Sequence, residues 1–157
     1  MNEVERISNQ MRRAFERGAW CGSSLSEVLA DVTPEEAAAR PVPGGLSMWQ
    51  MVLHLAAWKR VVRQRLEGRR VRLPEEGDFP AVGETSAEAW RGALALLARR
   101  HVELLGAVAE LDPARLDEPI VEGMSTVYET LHGSLQHDLY HGSQMALLKR
   151  LQRHKQD

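Results

Sequence analysis

Ser134-Leu135-Gln136-His137-Asp138-Leu139-Tyr140-His141-Gly142-Ser143-Gln144 carries the two signals from which fold and chemistry are both read. Its apolar residues continue a helical pattern that predicts one helix from about Ser125 to Gln152. An α-helix turns by about 100° per residue, so His137 and His141, at i and i+4, share one face. Gln144, one turn further on, falls on the same face. Two imidazoles at this spacing form a preformed bidentate grip for a metal ion.

On this helix Leu131, Leu135, Leu139 and Ala146 form the predicted apolar ridge, and the histidine face adjoins it. Thr130, Gly133 and Ser134 beside the histidines are all small, which predicts a cavity there. Working back along the chain, residues 85 to 110 form a helix opened by Thr85 with Glu88, its core positions being Trp90, Leu94, Leu97, His101, Leu104, Leu105 and Val108. His101 reads as a packed or partly exposed helix histidine, not a ligand. Ser47-Met48-Trp49-Gln50 is a capping box that opens a helix to about Glu67. His54 lies inside that helix's apolar stripe, among Met51, Trp58 and Val61, and so points toward the core.

Val4, Ile7, Met11, Ala14 and Phe15 mark a further amphipathic helix over residues 3 to 17. Gly18-Ala19-Trp20-Cys21-Gly22-Ser23 breaks it, short helical turns follow over 24 to 30 and 34 to 39, and Thr33-Pro34-Glu35-Glu36 is another capping box. Residues 68 to 85, with two prolines and three glycines, and residues 111 to 123 are long connections. Four long amphipathic helices without a strand pattern predict an all-α four-helix bundle, a single domain over residues 1–157. The long connections leave room for a topology other than simple up-down-up-down.

The net charge of −2, with Lys and Arg interspersed among Asp and Glu, gives no polyanion footprint, so nucleic acid is not an expected partner. Arg69, Arg70 and Arg72 are read as a solvated loop flank. The one cysteine, Cys21, allows no disulfide within the chain, which fits a reducing cytoplasm. No signal-peptide pattern opens the sequence, and no apolar run reaches the roughly 20 residues that span a bilayer. A cytoplasmic protein is the expectation.

His54, His137 and His141 together compose a three-imidazole set on two helices. If the helices are neighbours at about 8–10 Å, three nitrogens can converge on one divalent ion and leave its far side open, as in catalytic zinc sites. The competing reading is a buried histidine satisfied by hydrogen bonds beside a polar helix face. Imidazole ligands suit zinc, nickel, iron and copper alike. Gln144 and Asp138 are candidate groups for fixing the tautomers behind the ligands. Trp58, Trp20, Cys21 and Gln50 are candidate pocket residues. Cys21 is not expected to act as a nucleophile, having no histidine near it in sequence.

The chain resembles the DinB/YfiT-like superfamily of four-helix metal-dependent enzymes. The resemblance rests on Ser47-Met48-Trp49-Gln50-Met51-Val52-Leu53-His54-Leu55-Ala56-Ala57-Trp58, on Gln136-His137-Asp138-Leu139-Tyr140-His141-Gly142-Ser143-Gln144, and on Gly18 to Leu25. It implies that His54, His137 and His141 ligate a divalent ion, zinc or nickel, with Gln144 completing the motif, and that the chain forms a homodimer. Within such a family the expected function is low-molecular-weight-thiol (bacillithiol-type) S-transfer to a small-molecule substrate, the metal activating the thiol. The alternatives are a hydrolase using metal-bound hydroxide and a non-catalytic metal- or small-ligand-binding protein. No carboxylate is placed on the histidine face to serve as a general base, which favours the thiol.

Overall fold

The structure, a computed structural model, describes residues 1–154. Six α-helices follow in order: α1 (Glu3–Phe15), α2 (Leu25–Leu29), α3 (Pro34–Ala38), α4 (Met48–Leu66), α5 (Ala87–Ala109) and α6 (Val127–Arg153), with a 3-10 turn at Pro113–Asp117 before the last. Among the described residues there is no strand, only an isolated bridge between Pro119 and Thr126. The four long helices make the all-α bundle, and none is long and apolar enough to cross a membrane.

Helix starts are set by side chains that satisfy the free N–H groups of the first turn. Capping boxes stand at Asn2/Glu5, Ser24/Glu27, Thr33/Glu36, Ser47/Gln50 and Thr126/Glu129. Ser86, not Thr85, caps α5, its hydroxyl accepting from the Ala89 N–H at 3.2 Å. Glu88 thus falls at the second helical position, one short of where a capping box needs it. Gly68 ends α4 at φ +84°, with Gly68 N–H donating to Arg65 O and Arg69 N–H to Gln64 O. That left-handed step reverses the chain.

α4 packs on α5 and α6, and α1 packs on the same two helices, so α1 and α4 are diagonal in the bundle, as are α5 and α6. The connection from α1 to α4 crosses the bundle and carries α2 and α3 over α6, α4 and α5. The segment from α5 to α6 makes the other diagonal crossing. The connection over residues 67–86 joins two adjacent helices and does something else, described below.

The apolar core comes in two parts. One gathers Leu25, Val28, Met48, Trp49, Val52, Leu55, Trp90, Leu97 and Met145; the other gathers Ile7, Met11, Val62, Leu66, Leu104, Val108, Leu116 and Leu131. Lys59, His101 and Asp138, each 1–3% exposed, sit between the two parts on α4, α5 and α6. On α6 the buried residues are Val127, Leu131, Asp138, His141, Gly142, Met145 and Leu148. Leu135, Leu139 and Ala146 are only half-buried, which corrects the ridge read from the sequence. The buried seam recurs at intervals of three and four that sum to seven, as between helices crossing at a shallow angle. Asp138 occupies one position of that seam, and its charge hid the register.

Candidate metal centre

α4 and α6 bring His54, His137 and His141 together. The ring centroids of the three imidazoles lie 4.7–4.8 Å apart, and each pair of ring planes is inclined by 70–76°. A nitrogen from each lies within 4.8 Å of the other two. His54 and His141 are buried and His137 is half-buried. Among the described residues no carboxylate or thiol joins the group.

Hydrogen bonds fix which nitrogen faces inward. His54 Nδ1 lies 2.5 Å from the Asp78 carbonyl oxygen and 3.3 Å from the Asp78 carboxylate. A carbonyl only accepts, so Nδ1 carries the proton and Nε2 keeps its lone pair. His141 Nδ1 donates to Gln144 Oε1 at 2.7 Å, with the same result. His137 Nε2 is 2.8 Å from His54 Nε2 and donates to it when no ion is bound. Two imidazoles are thus held as the tautomer a metal needs, and the proton between His54 and His137 lies where an ion would replace it. Burial is the main reason that the His137 pKa falls to about 3, with His141, His54 and Lys59 adding to it. Burial also lowers that of His141, against the Gln144 hydrogen bond. Neutral imidazoles are the form that ligates. The donor set therefore fits a divalent ion.

The residues 67–86 run back along α4 and close one side of this cluster. Arg65 Nε and Nη2 donate to Val71 O and Arg72 O, Arg60 pairs with Glu75 and Glu76, and Trp58 Nε1 donates to Asp78 Oδ1 at 2.8 Å. The segment arrives at His54 with Phe79 stacked on its ring, centroids 4.1 Å apart and planes within 8°. On the other side of His137 a groove of about 380 Å³ opens between α4 and α6. Trp58, Val62, Arg65, Thr130, Gly133 and Ser134 are among its lining residues. That volume is in the range of small-molecule sites.

Family-model comparison matches residues 19–145 to the DinB superfamily. The chain belongs to the DinB superfamily. None of the curated proteins and none of the solved structures compared matches it. The matched span contains all three histidines and Gln144.

The remaining candidate residues divide. Trp58 stands at the site, its ring 6.3 Å from His54 and 6.5 Å from His137. Gln50 does not reach the cluster, because its Oε1 accepts from the Ser47 N–H as the helix cap. Asp138 Oδ2 accepts from Lys59 Nζ at 2.6 Å, and among the described residues no histidine bonds its carboxylate. Trp20 is not among the residues lining the groove beside His137: it is 94% exposed, in a turn whose Gly18 and Gly22 have φ of +81° and +85°, and it borders a separate depression with Leu135 and Leu139. Cys21 is exposed beside it. His101 is fully packed, stacked on Phe15 at 3.8 Å, and among the described residues no atom bonds either ring nitrogen.

The sequence reading missed Asp78, Phe79, Lys59 and Arg65. The first two come from a segment without periodicity, so nothing local marks them. Lys59 did carry a signal: it lies four residues after Leu55 and three before Val62, both buried, and so falls on the core seam.

Proposed function

We propose that this DinB-superfamily protein is a metal-dependent enzyme whose divalent ion is held by His54, His137 and His141. The proposal extends to S-transfer from a low-molecular-weight thiol to a small electrophile. The observation that carries the metal reading is the tautomer control: Asp78 O and Gln144 Oε1 take the Nδ1 protons of His54 and His141 and leave Nε2 free. When bound, the ion supplies Lewis acidity that favours the thiolate at neutral pH.

The chain's own part is to orient and to enclose. Asp78 and Phe79 fix the His54 ring, Gln144 fixes His141, and Trp58 and the small face of α6 shape the groove next to His137. In the transfer, the thiol loses its proton, its sulfur bonds the electrophilic carbon, and the leaving group departs with the electron pair of the broken bond and takes up a proton. Water as nucleophile would need a general base near it. The nearby Asp78 carboxylate lies on the Nδ1 side of His54 and bonds Trp58, which supports the thiol over hydrolysis. The homodimer is kept in the proposal, supported by Tyr140, Leu147 and Leu151, exposed at helical spacing along α6; a monomer in sedimentation would count against it.

Metal-loaded protein incubated with aryl and alkyl electrophiles should turn over only when a thiol such as bacillithiol, glutathione or cysteine is added. Turnover without thiol would replace transfer by hydrolysis. No turnover in either case, with the metal in free exchange, would leave a binding protein.

A further inference from the structure

At the end of the groove away from His137 stands a cation with no role in the chemistry proposed so far. The other two arginines of α4 each have carboxylate partners: Arg60 pairs with Glu75 and Glu76, and Arg63 with Glu67 and Glu103. Arg65 is different. Among the described residues no carboxylate oxygen lies within ion-pair distance of its guanidinium. Two of its five N–H groups are used, Nε toward Val71 O at 2.8 Å and Nη2 toward Arg72 O at 3.1 Å. Three N–H remain, on Nη1 and Nη2, along the outer edge of the fork, the edge that binds oxyanions two-fold.

The guanidinium is also held in place. Its central carbon lies 5.6 Å from the Trp58 ring centroid, and the same indole lies 6.5 Å from the His137 ring. Trp58 is itself tied to Asp78. A fixed guanidinium loses little conformational freedom on binding an anion. Partial burial lowers the Arg65 pKa, a cost of desolvation that a bound anion would offset. The other charges lining the groove are engaged: Lys59 with Asp138, and Glu129 with the Thr126 N–H and hydroxyl.

We propose that the α4–α6 groove binds its small molecule through an anionic oxyacid group, carboxylate or phosphate, on Arg65, with Trp58 as the apolar surface between that group and the histidines. With the Trp58 ring 5.6 Å from the cation and 6.5 Å from the His137 ring, the span is at most that of an extended molecule of roughly three residues' length at about 3.5 Å each. The functional reading above supplies the other end of the ligand; the anion preference at Arg65 does not need the ion.

Calorimetric titration with 6-mercaptohexanoate, 6-mercaptohexylphosphonate and the uncharged 6-mercaptohexanamide tests this, with zinc-loaded and metal-free protein. The expected result is binding of an acid about tenfold tighter than the amide, at the strength of a charge-assisted hydrogen bond. The stronger of the two acids identifies the group. Arg65→Gln, whose amide nitrogen stands where Nε donates to the Val71 carbonyl and which removes the charge, should abolish the preference, and Arg65→Lys should retain part of it. Equal binding of acid and amide by the unaltered protein, a preference that survives Arg65→Gln, or no binding of any probe overturns the inference. If zinc is not taken up but the Arg65-dependent preference is present, the functional reading falls and this one stands. If zinc is bound and the preference is absent, the reverse holds.

Discussion

An imidazole presents one lone pair to a ligand only when its other nitrogen keeps the proton. At the scale of single residues, this is why Asp78 O behind His54 and Gln144 Oε1 behind His141 matter as much as the histidines. The i,i+4 spacing of His137 and His141 and the inward position of His54 were legible, because helical geometry alone puts them on defined faces. Asp78 and Phe79 were not, since a segment without periodicity gives no direction for its side chains. His101 shows the opposite use of an imidazole. It is 1% exposed, both nitrogens lack partners among the described residues, and burial with the nearby Lys59 and Arg12 charges lowers its pKa to about 3. The unfolded chain takes up this proton near pH 6.5 and the folded one does not until about pH 3, so stability is full above the higher value and lost as pH falls between the two. His101→Leu should therefore raise stability at pH 7 by about 1 kcal/mol, by removing unsatisfied buried groups. It should also flatten the loss of stability from pH 7 to pH 5, both read from urea denaturation of the metal-free protein. A variant less stable than the parent at both pH values would mean that the Phe15 stack outweighs the unpaired nitrogens.

At the scale of elements, α4 and α6 are registered by the buried Lys59–Asp138 pair, one residue from His137. Burial pushes the Asp138 carboxyl up, against the pull of the Lys59 ammonium, so its charge depends on its partner. Lys59→Met leaves a buried carboxylate unpaired and should cost about 3–5 kcal/mol in denaturant unfolding. Adding Asp138→Leu should recover most of that loss, because two apolar side chains can replace a buried ion pair at little cost. Equal, additive losses in the double variant would show that the two residues act separately. The caps explain why helix starts were readable from the chain: Ser47/Gln50 and Thr33/Glu36 are local chemistry. The register of α6 was not, because an aspartate on the core seam reads as surface until its lysine is seen.

At the scale of the whole molecule, a bundle with a polar layer between two apolar parts places its three candidate ligands on the seam of α4 and α6. The number of long helices followed from four apolar stripes at helical spacing. Their diagonal arrangement did not, because connection length limits which helices can be neighbours without choosing among them. Likewise the groove was foreshadowed by Thr130, Gly133 and Ser134, but its cation, Arg65, needed the fold to bring α4 beside the start of α6. The central claim, that His54, His137 and His141 hold a divalent ion, is tested most directly by metal content. Protein made without an affinity tag should contain about one zinc or nickel ion per chain. His137→Ala should lose the ion while the protein keeps its helical content by circular dichroism. A folded parent protein that carries no ion and takes none up from added zinc or nickel would contradict the account.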